Sequence, residues 1–254
     1  MSKLLGLFMK KLYKALIEVL YFIYRPVFYV LVVVDTTILG ILTIALSFFD
    51  PTGNTVHYIG VFWSRLNLFL SGVRVRVHGK ENIKKNQPYI VMMNHQSYYD
   101  VWAVIGYIPL QLRWVMKMEL RKVPIFGLGC ERMGHIYIDR GDSQQAHESL
   151  KVAVEKIRNG ASVVFFPEGT RSIDGNMLPF KKGGFVIAVE SKVPVLPITG
   201  IGSRPILPKG SLAIRPGTIH LYIHPPIEVT AYSQQNKEVL MQKVRDVIQS
   251  KLAS

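Results

Sequence analysis

The sequence predicts an α/β layer fold: a mixed, mainly parallel sheet flanked by helices, with a hydrophobic helix pair at the N-terminus. Three observations carry this. Short apolar runs alternate with helical patterns from Val73 onward, the order expected of strand–helix–strand crossovers. Of 254 residues, 49% are hydrophobic and only 19% charged, and most of that apolar excess lies between Leu12 and Phe49. No internal repeat or low-complexity linker divides the remainder. Residues 1–50 therefore read as a membrane-associated helix pair, 51–72 as a connector and 73–254 as one domain.

The apolar stretch from Leu12 to Phe49 is broken only by Lys14, Glu18, Arg25-Pro26 and Asp35. It is too long for a secretory signal and shows no small-residue cleavage site. Pro26 to Phe49 suffices for one bilayer crossing. Lys3, Lys10, Lys11 and Lys14 precede it and a basic domain follows, so the positive-inside tendency places both flanks on the cytoplasmic side. That requires an even number of crossings or none. A pair hinged at Arg25-Pro26 satisfies it, because proline ends regular helix hydrogen bonding. Asp35, in mid-segment, is costly at the bilayer centre unless it is paired or lifted to the interface.

Pro51-Thr52-Gly53-Asn54 is a turn, and Tyr58 to Leu70 an aromatic-rich helix. Val73 to His78 alternates at period two, a half-exposed strand. Tyr89–Met93, Arg113–Met116, His135–Ile138, Ser162–Phe166, Pro194–Thr199 and His220–Ile223 read as further strands. Ser143 to Asn159 is the strongest helix, with Ser143 as N-cap, Gly160 past its end and Ala146, Leu150, Ala153, Val154 and Ile157 on one face. A short helix covers Phe185 to Glu190, and an amphipathic one covers about Gln235 to Leu252.

Lys and Arg outnumber Asp and Glu by 31 to 17, a net charge of +14. Such a field suits anionic partners without choosing among nucleic acid, acidic lipid and phosphorylated substrate. The single cysteine, Cys130, excludes an intrachain disulfide and reads as a small buried apolar residue. No zinc-ligand spacing occurs, and no metal or cofactor is expected.

Two segments carry chemistry. Asn94-His95 ends a strand and Asp100 follows His95 by five residues. On an unbroken helix the two side chains would face apart. Across a strand-to-helix turn, Asp100 can fold back onto one ring nitrogen and leave the other to take a hydroxyl proton. No protein nucleophile is needed if the substrate brings the hydroxyl. The second segment, Phe166-Pro167-Glu168-Gly169-Thr170-Arg171-Ser172, closes another strand. Arg171 can grip a phosphate bidentately and Thr170 or Ser172 can add donors, while Glu168 is expected to orient Arg171 or a substrate hydroxyl. Lys117-Met118-Glu119-Leu120 and Ile138-Asp139-Arg140 place further cations near strand ends.

These blocks, with Val193-Pro194-Val195-Leu196-Pro197-Ile198 after them, resemble in content, order and spacing those of the glycerolipid acyltransferases of the lysophosphatidate acyltransferase type. The match covers most of Tyr89 to Gly200. The resemblance implies a glycerolipid-acyltransferase-like sheet and transfer of an acyl group from a thioester to the sn-2 hydroxyl of lysophosphatidic acid. By it, His95 is the general base and Asp100 its orienter. Lys117 and Arg171 hold the acceptor phosphate, and Asn94, Arg140, Glu168, Gly169 and Thr170 complete the binding set. The implied donor is acyl-CoA or acyl-carrier protein, and the surroundings an anionic membrane surface with the catalytic domain on its cytoplasmic side. Another lysophospholipid or glycerol 3-phosphate is the alternative acceptor. A non-catalytic basic protein docking on membranes or nucleic acid would explain the charge but not the ordered blocks, so no nucleic-acid partner is expected.

Overall fold

The computed structural model describes residues 2–139, 141 and 143–252, the side chains of 2–5, 7, 10, 14 and 143–147 excepted. Ser143 as a cap and Ala146 as a face residue therefore fall outside what is described. Seven strands form one sheet in the order β1-β7-β6-β2-β5-β3-β4. They are β1 (Val73–His78), β2 (Ile90–Met93), β3 (Leu112–Lys117), β4 (Ile136–Ile138), β5 (Ser162–Phe165), β6 (Val195–Ile201) and β7 (Gly217–Ile223). Every pairing is parallel except β6 with β7. The helices are α1 (Ser2–Ser47), α2 (His57–Leu70), α3 (Tyr99–Tyr107), α4 (Phe126–Arg132), α5 (Ser143–Arg158), α6 (Gly183–Ser191) and α7 (Lys237–Leu252). All seven strands fall where the apolar runs predict, and the sheet is mixed and mainly parallel as expected.

The central strand β2 is buried at every residue, as a parallel strand covered on both faces must be. Its side chains divide by parity. Val91 and Met93 face one core with Leu68, Tyr99, Val104 and Leu196. Ile90 and Met92 face the other with Ile157, Phe185, Leu240 and Val244. Helices α1, α2 and α3 lie over the first core, and α5, α6 and α7 over the second.

The N-terminal region departs from expectation at one point. No hinge forms at Arg25-Pro26: α1 runs unbroken through Pro26. A single proline removes one hydrogen bond, that to the carbonyl of Phe22, and kinks a helix before it ends one. Strong helix on both sides carries the chain through. The helix pair of this region is instead α1 with α2, and the turn lies at 48–56. There Asp50 Oδ2 accepts from the backbone N–H of Thr55 at 2.6 Å and Val56 at 3.0 Å.

Asp35 has its partners. Its Oδ1 accepts from Trp63 Nε1 at 3.1 Å, Asn67 Nδ2 at 3.4 Å and Thr36 Oγ1 at 3.3 Å, which joins α1 to α2. On the same inner side Phe28 is buried against Trp102. Gly40 allows close approach, since a Cβ there would lie 2.7 Å from Ile125 Cγ2. The opposite side of α1 exposes Val27, Val30, Val33, Val34, Ile38, Ile41 and Leu42. These recur at helical spacing, one continuous apolar stripe. Lys11 to Ser47 is long and apolar enough to cross a membrane.

Candidate active site

Register brings the two chemical segments together. β2 and β5 are parallel neighbours with Met92 opposite Phe165, so three residues further on His95 stands opposite Glu168. His95 N–H donates to Glu168 Oε1 at 2.7 Å. Leu178 N–H donates to Oε2 at 2.8 Å, and Ser172 N–H donates to the His95 carbonyl at 2.8 Å. The two loops are thus laced at the carboxyl ends of parallel strands, where open α/β sheets place ligands.

The seven residues from Asn94 to Asp100 wrap around one carboxylate oxygen. Asp100 Oδ2 accepts from Gln96 N–H at 2.7 Å, Ser97 N–H at 2.8 Å and His95 Nδ1 at 3.0 Å. Asp100 is 1% exposed and sits in the first turn of α3, where the helix dipole favours negative charge. Because Oδ2 accepts, the proton of a neutral His95 ring lies on Nδ1, and Nε2 keeps its lone pair. Among the described residues Nε2 has no hydrogen-bond partner. The ring lies flat on Phe166, with centroids 3.7 Å apart and planes at 7°. Phe166 in turn rests against Trp114, 5.1 Å between centroids. The imidazole is therefore held at one nitrogen and over one face.

Glu168 does not orient Arg171. Both its oxygens are occupied by backbone N–H groups, so it fastens one loop to the other. Burial, the largest influence, raises its carboxyl above the usual range, and the two backbone donors oppose that shift. Gly169 has φ +73, and a Cβ there would lie 2.8 Å from Lys181 Cε; a side chain would be strained and crowded. The Arg171 guanidinium lies 3.7 Å over the Tyr98 ring, a cation–π stack beside the His95 turn. Asn94 is bound at both ends of its amide, Nδ2 to Gly200 O at 2.9 Å and Oδ1 from Gly200 N at 2.8 Å. It clasps β2 to β6 instead of offering a group to a ligand.

Lys117 ends β3, beyond β5 in the sheet, and pairs with Glu119 at 3.2 Å in an exposed position. Among the described residues no contact joins it to His95. Arg140 lies outside the described residues. Tyr98 and Lys209 are neighbours that sequence reasoning missed, and Phe166, though part of the second segment, was given no role there. Only Phe166 had a signal, its place at the end of a buried strand. A crevice of about 440 Å³ opens elsewhere, between α1 and residues 214–216, and shares no lining residue with the His95 cluster.

A histidine held by a buried carboxylate with its far nitrogen open, beside a turn whose arginine has no ion pair among the described residues, is an arrangement able to take a proton from a hydroxyl near an anion. The Acyltransferase family model matches residues 74–200, which contains this whole arrangement. The chain is 35% identical over 173 residues to a chloroplastic 1-acyl-sn-glycerol-3-phosphate acyltransferase of Brassica napus, covering 67% of this chain and 50% of that protein. It is 33% identical to the human alpha form, covering 70% of this chain and 63% of the relative. The chain thus spans about half to two thirds of the length of these relatives. Among solved structures, the 1-acyl-sn-glycerophosphate acyltransferase PlsC of Thermotoga maritima superposes with a TM-score of 0.80 at 29% identity, over 92% of this chain and 95% of that one. The chain belongs to the Acyltransferase family.

Proposed function

We propose that the protein transfers a fatty acyl group from an acyl thioester to the free sn-2 hydroxyl of 1-acylglycerol-3-phosphate, giving phosphatidic acid. The observation that carries this is the His95–Asp100 pair at 3.0 Å with Nε2 open, one loop away from Arg171. Nε2 takes the hydroxyl proton as the oxygen bonds to the thioester carbonyl carbon. Asp100 balances the imidazolium that forms. Collapse of the tetrahedral intermediate breaks the C–S bond, and the departing thiolate recovers the proton from Nε2. Ester and thiol are the products and His95 is neutral again. Arg171 holds the acceptor phosphate, and the donor is acyl-CoA or acyl-carrier protein, both anionic and suited to the +14 field. The names borne by the relatives support the acceptor.

The exposed stripe of α1, with Phe48, Phe49, Phe62 and Phe69 also exposed, fits a helix lying along one leaflet with its inner side against the catalytic domain. An unbroken helix cannot cross twice, and lying in the plane keeps both basic flanks on one side. By the positive-inside tendency that side is cytoplasmic. Purified protein given lysophosphatidate and, separately, acyl-CoA or acyl-carrier protein tests the reaction by mass analysis. Formation of phosphatidate with either donor is expected; acylation only of an acceptor lacking a phosphate would refute the assignment.

A further inference from the structure

The segment joining β6 to β7, residues 202–216, carries no recognised signature, yet it walls the third side of the site. Ser97 Oγ donates to Leu207 O at 2.8 Å, and Arg204 Nε donates to Ile173 O at 2.9 Å. Ile206 and Leu207 are buried and fix the path of the segment. From it Lys209 reaches the phosphate turn. Its Nζ donates to Arg171 O at 2.9 Å and to Thr170 Oγ1 at 3.1 Å.

Counting donors shows what this arrangement leaves open. An ammonium has three N–H groups, and two of those on Lys209 are engaged. Thr170 Oγ1 accepts from Lys209, so its own hydrogen is available to another acceptor, and among the described residues it donates to none. The Arg171 guanidinium stacks on Tyr98 and forms no ion pair among the described residues; Glu168, three positions earlier, has both oxygens taken by backbone donors. The turn and Lys209 therefore present a hydroxyl, an ammonium N–H and a guanidinium, and among the described residues no ion pair engages either cation.

We infer that Lys209 is a second cation of the acceptor site: its third N–H and the Thr170 hydroxyl it orients both donate to oxygens of the acceptor phosphate, beside Arg171. This rests on the phosphate-bearing acceptor proposed above. Three oxygens of a phosphomonoester match three kinds of donor, and hydrogen bonds to charged groups are the strong ones.

The test is steady-state kinetics of the full chain in mixed micelles, with lysophosphatidate varied at fixed thioester and then the reverse. Lys209→Met should raise KM for lysophosphatidate about tenfold or more, leave KM for the thioester within about twofold, and be largely rescued by Lys209→Arg. An unchanged acceptor KM in Lys209→Met overturns the inference, as does an equal rise for both substrates. Should Lys209→Met fail to fold, Lys209→Gln keeps neutral donors for Thr170 and Arg171 while removing the charge. It must also raise the acceptor KM, and no rise sinks the idea. Arg171→Ala separates the two levels. If it leaves the acceptor KM alone, the phosphate assignment itself fails; if it raises that KM and Lys209→Met does not, only the role of Lys209 fails.

Discussion

His95 and His135 sit at opposite edges of the same sheet and are opposites chemically. His95 follows β2 at the carboxyl edge, held by a carboxylate at Nδ1 and open at Nε2. His135 precedes β4 at the amino edge, and its Nδ1 accepts from Trp114 N–H at 3.2 Å, so that nitrogen carries no proton. Around it lie Arg113, which is 2% exposed, Lys156 and His57. Burial first, and then the charges of Arg113, His57 and Lys156, push His135 down to about 3; burial first, and then Arg113, push His57 down to about 4. The same side chain thus sits beside a carboxylate with one nitrogen open in one place and among cations as a hydrogen-bond acceptor in the other. Partners, more than residue type, set the role.

The sharpest way to break this contrast is to delete each ring. His95→Ala should lower kcat by about 10²–10⁴-fold or more with the melting temperature little changed. His135→Ala should destabilise the fold by about 1–3 kcal/mol, leaving Trp114 N–H without its acceptor, while KM values hold. Substantial turnover by His95→Ala, measured as thiol release, would end the base assignment. Asp100→Asn comes next. It removes the charge proposed to balance the imidazolium while an amide oxygen can still accept from Nδ1, so kcat should fall about 10²–10⁴-fold at constant KM. A loss confined to KM would move Asp100 from orienter to binder. Arg171→Ala should raise the acceptor KM by about 10–100-fold and spare the thioester. Equal rises would show that it shapes the loop and does not grip the phosphate.

The smallest expected effect separates the edges by pH. Unfolded, His57 titrates near 6.5; folded, near 4. Between those values the unfolded chain binds the extra proton. Stability is therefore complete above pH 6.5 and falls as pH drops toward 4, by about 2 kcal/mol from His57 at pH 5, with His135 adding in the same direction. Denaturant midpoints at pH 7 and pH 5 measure it. In His57→Phe the pH 7-to-5 loss should shrink; a slope as steep as wild type would place its origin elsewhere.

Much of the architecture was legible because it is written in local pattern. Seven buried or half-buried strands announce themselves as apolar runs, and the turn after His95 is implied by a five-residue spacing that no helix could use. What escaped depends on distant pairing. Pro26 is a local break signal, overridden by helix on both sides and by packing of Phe28 and Gly40. Glu168 stands three residues from Arg171, and proximity in sequence suggested a pairing that the register of β2 against β5 redirects to the His95 backbone. Asn94 looked like part of a motif for ligands, but its partner Gly200 lies on a strand 106 positions away. Lys209 sits in a stretch with no pattern, and only the closed fold shows whom it meets.

The lacing of the two loops has a consequence for the proposed reaction. The peptide N–H before the His95 ring and the carbonyl after it are tied to residues 168 and 172, so the imidazole and the 168–172 turn are coupled through the backbone. Their separation acts as a fixed gauge. On the proposed reading, an alcohol set one methylene farther from its phosphate would fit the turn and the imidazole together less well.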